Sequence, residues 1–410
     1  MVEGMSLEGS FSSDFKENDK GVERRRRKPP WGCGRLSKLE MELRNPAVSI
    51  NVPTDVITGI LSRLPVKNLV RFKCVSKPWN SLIDGSYLSN LQLRRSFTSN
   101  ANIKLLLDIY SEFDEYKAYS VDFDSLDNLE ELPRPLSTTS FGVSSRIFGS
   151  CNGLLAISHD EAGIALWNPS TKECHYPPKL TIGDMYDEII LGFGYDVINK
   201  DYKVVQMLSS GKLVMIYSLK ANSWKRIKDC PYEITFHVSQ DGSVHWVGVG
   251  NDKDDDARVN DDARVIFGLD LGIEEFHQLP GPESDISYKN FGYRSVGLLG
   301  GSLCVFRVIY HRDNIVLWVM KEYGVMESWT EDFYVSRDEC WQWCTYYTRA
   351  ISYSRRGDRV LLEDGGRPRQ PAWFNLDKRT REVVDIPGAP KHFNAIIYVE
   401  SLASARPGNH

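Results

Sequence analysis

The feature that most narrows the folds open to this 410-residue chain is a spacing. A short unit made of an aromatic residue, a small or aliphatic residue, an apolar or Pro position and a polar residue recurs six times. It reads Tyr119-Ser120-Val121-Asp122, Trp167-Asn168-Pro169-Ser170, Tyr217-Ser218-Leu219-Lys220, Phe267-Gly268-Leu269-Asp270, Trp318-Val319-Met320-Lys321 and Phe374-Asn375-Leu376-Asp377. The aromatic positions are separated by 48, 50, 50, 51 and 56 residues. Each unit follows an apolar run and leads through a charged turn into a second strand. Several units close on proline, at Pro133, Pro177, Pro231, Pro280 and Pro387.

A unit of about 50 residues with about four short strands cannot bury its own apolar face and must stack against copies of itself, which is the signature of kelch-type β-propeller blades. Six units predict about six blades and a mostly β chain. The 11% of aromatic residues suits pleated, half-buried surfaces. Further strands with tight turns are expected at Gly149 to Ala156, Val238 to Trp246 and Gly297 to Val305. The pairs Asp241-Gly242 and Gly300-Gly301 supply the positive φ that such hairpins demand. The apolar segment Ala395 to Leu402 is expected to close the ring against the first blade.

The chain divides by composition into a tail at residues 1–45, a head at 46–98 and the propeller-like body at 99–410. The tail has no apolar periodicity and is expected to be disordered. Its run Arg24-Arg25-Arg26-Arg27-Lys28 reads either as a nuclear import signal or as a solvated charge run. The head carries seven Lys and Arg against two Asp and Glu, whereas the body carries 33 against 45. A basic head on an acidic body points to an acidic protein partner at the head and away from nucleic acid at the body. With no apolar leader and no apolar run of membrane-spanning length, neither secretion nor a membrane is expected. The eight cysteines show no framework spacing, so reduced thiols in cytoplasm, nucleus or both are expected.

Helical spacing is clear only in the head, between Val52 and Ile83. Thr54 is placed to cap a first helix, with Asp55 in its first turn. Val56, Ile60 and Leu64, flanked by Ile57 and Leu61, make one broad apolar face before Pro65 stops the helix. A second helix spans Lys67 to Cys74. Ser76 caps a third, with Pro78 in its first turn and Trp79, Leu82 and Ile83 on its apolar side. Beyond Leu91 the chain is expected to turn to strands. On periodicity alone these helices read more readily as a plain bundle than as an adaptor.

The ordered string Val52-Pro53, Ile60-Leu61-Ser62-Arg63-Leu64-Pro65 and Val75-Ser76-Lys77-Pro78-Trp79 resembles the F-box. It departs from that family's usual pattern at Val52, where Leu is common, and at Gly59, where an acidic residue is common. Cys151-Asn152-Gly153-Leu154-Leu155, Trp167-Asn168-Pro169-Ser170-Thr171, Gly192-Phe193-Gly194-Tyr195-Asp196 and Asp201-Tyr202-Lys203-Val204-Val205 look like the F-box-associated domain of plant F-box proteins. The resemblance implies a small N-terminal all-α F-box followed by a β-propeller-like domain. It further implies a substrate-recognition subunit of an SCF-type cullin RING ubiquitin ligase, joined to cullin through a Skp-family adaptor. By the same resemblance, Pro53, Ile60, Leu61, Leu64, Pro65, Val75, Lys77 and Trp79 are the adaptor-binding residues. The target protein is not readable.

Catalytic patterns are absent from the sequence. There is no His-Glu-x-x-His, no paired Cys-x-x-Cys and no Gly-Lys-Ser phosphate loop. His237 and His245 on neighbouring strands are a weak metal pair, and Cys340 with Cys344 lacks the further ligands zinc needs. Ser150 follows Gly149 directly and so does not make a nucleophile elbow. The repeated Asp255-Asp256-Ala257-Arg258-Val259 and Asp261-Asp262-Ala263-Arg264-Val265 read as an exposed, duplicated loop. No catalytic residue, metal or cofactor is expected. The alternatives are a propeller enzyme or glycan-binding lectin with a helical appendage, and an F-box scaffold that acts without degradation.

Overall fold

The computed structural model describes residues 52–99, 102–109, 117–133, 135, 145–159, 163–183, 188–236, 244–250, 264–282, 291–309, 314–336, 349–363, 371–390 and 393–408. The tail with its Arg24 run, His237, Asp241-Gly242, most of the Asp255 duplication and Cys340 to Cys344 lie outside the described residues.

Among the described residues the head holds four helices: α1 (Thr54–Leu61), α2 (Val66–Phe72), α3 (Lys77–Ile83) and α4 (Ser86–Ser99). Pro53, not Thr54, is the N-cap of α1, and no side chain caps that end. A proline there gives up no hydrogen bond, because its missing N–H belongs to a turn whose donors have no helical partner. Its carbonyl instead accepts from Val56 at 3.0 Å and Ile57 at 3.2 Å. Pro65 repeats the arrangement for α2, accepting from Asn68 at 3.0 Å and Leu69 at 3.2 Å. Ser76 caps α3 as its spacing predicts, its Oγ accepting from the Trp79 N–H at 3.3 Å.

Two expectations for the head need correction. The helix α1 ends at Leu61, so Leu64 leaves the face it was assigned to; Leu61 is buried while Val56 and Ile60 look outward. The chain also stays helical after Leu91. The inward face of α4 carries Leu88, Gln92 and Ser96, a stripe at four-residue spacing that is polar in two of its three positions. Hydrophobic periodicity does not register such a stripe.

Among the described residues the body has 24 strands in six four-stranded antiparallel sheets. Blade 1 holds β1 (Ile103–Ile109), β2 (Lys117–Asp122) and β3 (Glu130–Leu132), and blade 2 holds β4 (Ser145–Cys151), β5 (Leu154–His159), β6 (Gly163–Asn168) and β7 (Glu173–His175). Blade 3 is β8 (Ile189–Asp196), β9 (Asp201–Leu208), β10 (Met215–Ser218) and β11 (Ser223–Arg226). Blade 4 is β12 (Tyr232–Phe236), β13 (His245–Gly250), β14 (Val265–Asp270) and β15 (Glu275–Leu279). Blade 5 is β16 (Phe291–Leu299), β17 (Ser302–Ile309), β18 (Asn314–Met320) and β19 (Trp329–Ser336). Blade 6 is β20 (Arg349–Tyr353), β21 (Arg359–Glu363), β22 (Pro371–Asn375) and β23 (Arg381–Val383). The last strand, β24 (Asn394–Val399), returns to pair with β1 as the first strand of blade 1, so the ring closes as the apolar run at Ala395 predicts.

The aromatic spacing now has a structural meaning. Tyr119, Trp167, Tyr217, Phe267, Trp318 and Phe374 all stand on the third strand of their own blade. Apolar clusters fill each interface between blades: Leu106 with Leu155 joins blades 1 and 2, and Tyr217 with Ala156 joins 2 and 3. Val205 with Phe267 joins blades 3 and 4, Val247 with Val305 joins 4 and 5, Leu317 with Val360 joins 5 and 6, and Trp373 with Leu107 joins 6 and 1. The hairpin turns predicted at Asn152-Gly153 and Gly300-Gly301 are present, with φ of 51° and 90° in the first and 61° and 84° in the second.

Because every blade has four antiparallel strands, turns sort by end. Connections from first to second and from third to fourth strand lie at one end of the ring; those from second to third strand, and from blade to blade, lie at the other. Helix α4 feeds into the start of β1, a second strand, so the head sits at the end with the tight turns.

Candidate functional site

The head's core consists of Leu61, Val66, Leu69, Ile83 and Leu88, with Ile57, Leu64, Val70, Phe72, Trp79 and Leu82 packed around them. Phe72 and Trp79 meet edge to face with centroids 5.8 Å apart. This core leaves apolar residues over. Val56 is 50%, Ile60 55% and Val75 58% exposed, and Pro53, Pro65 and Lys77 are exposed beside them in sequence. Of the eight residues singled out in the sequence, Pro53, Ile60, Pro65, Val75 and Lys77 therefore present surface. Leu61 is buried, and Leu64 and Trp79 are half-buried against the core. The motif thus contains two kinds of residue: those that build the head and those that it displays. Val56 belongs with the displayed group and was readable only as part of the helix face.

The joint between head and body was not legible in the sequence. The segment after β24 runs back under the head, and Leu402 completes the head's apolar core. Gln92 of α4 donates its side-chain amide to the Glu400 carbonyl at 3.4 Å and to Ser96 Oγ at 3.2 Å. Asn102, where α4 hands over to β1, donates to Ser96 Oγ at 2.9 Å. Arg95 of α4 donates to the Gly59 carbonyl at 3.1 Å and also reaches Ser62 Oγ, placing a cation at the negative end of α1.

The sequence motifs of the body resolve into the fixings of this joint and of the ring. Asn168 is buried; its amide donates to the carbonyls of Ser401 at 3.1 Å and Ala403 at 2.7 Å, and its Oδ1 accepts from the N–H of Ser170 at 2.9 Å. Ser401 Oγ donates to the Asn152 carbonyl at 2.7 Å. A Cβ on Gly153 would stand 2.1 Å from that Oγ, so the Asn-Gly turn is fixed by contact as well as by its φ. In blade 3, Lys203 is buried and contacts Asp196 at 2.9 Å and Glu274 of blade 4 at 3.2 Å, and donates to the Leu271 carbonyl. Burial opposes the charges of this cluster, but the Asn199 hydrogen bonds and Lys203 outweigh it at Asp196, whose carboxyl is held below its ordinary range. Asp196 and Glu274 in turn raise Lys203. Two indole N–H groups staple blade to blade at proline carbonyls: Trp224 to Pro178 at 2.7 Å and Trp329 to Pro280 at 2.8 Å.

Two concavities lie at the head end. The mouth of the ring encloses about 580 Å³ lined by Phe97, Ile103, Phe123, Ser150, Asn152 and Ser352 among others. A cleft of about 350 Å³ separates α2 from blades 1 and 2, with Lys67, Arg71, Lys104 and Lys172 facing Glu130, Glu131 and Glu400. At the opposite end, Gly250 and Val265 deliver the chain to and from the acidic duplicated segment, and the connections between blades begin and end there. Among the described residues no three His, Cys, Asp or Glu side chains converge as a metal site, and no helix is long and apolar enough to cross a membrane.

The chain is thus a small helical head that displays apolar residues, fixed to one end of a six-bladed ring. Comparison with known proteins gives its family. Residues 50–90 match the F-box domain and residues 109–404 match the F-box associated beta propeller domain. The chain belongs to the F-box proteins that carry this propeller. It is 30% identical to F-box protein CPR1 of Arabidopsis thaliana, over 87% of this chain and 90% of that one. It is 27% identical to F-box protein At4g22390 of the same plant, over 87% and 91% of the two chains.

Proposed function

We propose that this chain is the substrate-recognition subunit of an SCF-type cullin RING ubiquitin ligase. The carrying observation is that Val56, Ile60 and Val75 stay exposed beside the packed core of the head, within the stretch that matches the F-box. Burying these side chains against a partner removes apolar area from water at about 25 cal/mol per Å². The partner is a Skp-family adaptor, and cullin is reached through it. Pro53, Ile60, Pro65, Val75 and Lys77 supply its contacts, while Leu61, Leu64 and Trp79 hold those contacts in place.

The far end of the propeller, where second strands pass to third strands and blades pass to blades, captures the target protein. The receptor performs no chemistry of its own; it raises the target's effective concentration beside a ubiquitin-charged enzyme. Degradation of that target in the cytoplasm, the nucleus or both is the outcome of this reading.

The test is co-purification of the full chain with a plant Skp-family adaptor. Wild type is expected to bind, and Ile60→Asp with Val75→Asp to abolish binding while leaving the melting temperature within a few degrees. Failure of the wild type to bind overturns the reading. Surface variants are the right probe here, because Leu64→Ala removes packing from the head itself.

The cavity of about 580 Å³ supports a second reading, a small-molecule or glycan receptor, since its volume falls within the range of ligand pockets and polar Ser150, Asn152 and Ser352 line it. A glycan-array signal from a chain that binds no adaptor would favour it.

A further inference from the structure

The cavity of about 580 Å³ runs into the ring along two first strands, β20 of blade 6 and β24 of blade 1. Ser354 and Val399 line it at the head end, and Arg349, at the start of β20, lines it deep inside, roughly 15 Å further in at strand spacing. Arg349 is 7% exposed and is held from two sides. Its Nε donates to Glu363 Oε2 at 2.7 Å and its Nη2 to the Ala395 carbonyl, while Glu363 Oε1 accepts from the Ala395 N–H at 2.9 Å. The ion pair thus clasps both polar groups of one β24 residue and ties blade 6 to blade 1. A guanidinium carries five N–H donors. These bonds use those of Nε and Nη2, and Nη1 has no partner among the described residues. Since Arg349 lines the cavity, its spare donors are offered to whatever enters.

Charge decides the kind of occupant. The charged residues that line the cavity are Arg349, already neutralised by Glu363, and Arg355 with Asp124, paired at 2.8 Å near the mouth. An anion would bring an uncompensated charge beside a buried neutral pair, and a cation would meet the guanidinium. Ile351, Ile397 and Val399 make an apolar wall that offers nothing to the many hydroxyls of a glycan. Phe97 of α4 lines the same cavity from the head and is itself 55% exposed.

We propose that the cavity binds a neutral, largely apolar small molecule of elongated shape that presents an acceptor oxygen, such as a ketone, to Arg349. This ligand class presupposes the second reading above, in which the cavity is a ligand pocket, and excludes the glycan. The acceptor meets the spare guanidinium donors in a charge-assisted hydrogen bond. The apolar body lies along Ile351, Ile397 and Val399, and Phe97 covers its outer end, so an occupant touches head and ring at once.

The test is a fluorescence titration of the full chain with two probes of similar size: prodan, a neutral naphthyl ketone, and anilinonaphthalene sulfonate, an anion. Wild type is expected to bind one equivalent of prodan, and the sulfonate at least about tenfold more weakly. Ser352→Trp, which fills the cavity, is expected to remove prodan binding at an unchanged melting temperature, and Phe97→Ala, on an exposed side chain, to weaken it severalfold. Arg349→Met alone would strand the Glu363 carboxylate, so the donor is removed with its partner, as Arg349→Met/Glu363→Leu, a replacement that buried ion pairs tolerate. That double variant is expected to bind prodan about tenfold more weakly, the loss of a bond to a charged donor, with its emission shifted to the blue. If neither probe binds wild type in a manner that Ser352→Trp and Phe97→Ala diminish, the ligand-pocket reading itself falls. If prodan binds there but the sulfonate binds as tightly, or the double variant binds prodan undiminished, the pocket stands and the proposed ligand class is overturned.

Discussion

The side-chain amide of Asn168 donates to the carbonyl of Ala403 at 2.7 Å, joining positions 235 residues apart in the chain. The same amide holds Ser401, and Oδ1 turns back to cap its own hairpin. One buried residue therefore fixes blade 2 to the segment that supports the head. Asn168→Ala leaves two buried carbonyls without their donor, at about 1–3 kcal/mol each. We expect a loss of about 3 kcal/mol in urea unfolding, with Asn168→Asp no better because it lacks the donors. A loss under 1 kcal/mol would contradict this account.

Leu402 is the body's contribution to the head's core. Leu402→Ala should cost about 2–3 kcal/mol by removing a buried side chain. Hydrogen exchange is expected to rise in α3 and α4 and to stay unchanged in blade 4. Uniform loosening of the whole chain would argue against a local role.

Lys203 is the only cation paired with the fully buried Asp196 carboxylate among the described residues. Lys203→Met strands that charge, at about 3–5 kcal/mol. In the wild type, Asp196 and Glu274 have carboxyls lowered on folding, so the stability they add is present above their unfolded pKa and is lost as pH falls through the folded one. Acid titration of the wild type should show this loss below the ordinary carboxylate range, and Lys203→Met should flatten it.

Glu400, at the head–body cleft, has the opposite sign. Burial pushes its carboxyl up, with Lys104 offsetting part of the effect. The folded state binds this proton more tightly than the unfolded chain, so ionisation of Glu400 costs stability as pH rises through that window. Glu400→Gln is expected to raise the melting temperature at pH 7.5, with the gain shrinking as pH falls toward 4. A gain independent of pH would point to packing instead.

Gly59 stands in α1 with nothing within 4 Å of where a Cβ would be. Gly59→Ala should therefore stabilise the head by up to about 1 kcal/mol through helix propensity alone, read as a higher melting temperature with adaptor binding retained.

The ring was legible in the sequence because a propeller repeats its chemistry. Six aromatics at near-constant spacing mark six third strands, and Asn152-Gly153 and Gly300-Gly301 announce their turns through the φ they require. The head was legible in part. Pro53, Pro65 and Ser76 fall at helix starts, yet which face of α1 is displayed depends on what packs against it. Val56 and Ile60 have the same character in sequence as Leu61 and differ only in neighbours. Helix α4 escaped because Gln92 and Ser96, not apolar residues, form its buried stripe. Their partners, Glu400 and Asn102, are set by the fold, and no local pattern names them. The hydrogen bonds that join His245 and His277 to the Tyr323 phenol, each at 2.8 Å, escaped for the same reason.

The placement of Leu402 in the head's core has a consequence for synthesis. Helices α1 to α4 leave the ribosome some 300 residues before the side chain that completes their packing. Until residue 402 emerges the ring is also open, since β24 has yet to pair with β1. The head's core and the closure of the ring are thus completed together, and late. A nascent chain halted anywhere in blades 2 to 6 carries its helical head on an unfinished support, because one and the same last segment completes the head's core and closes the ring.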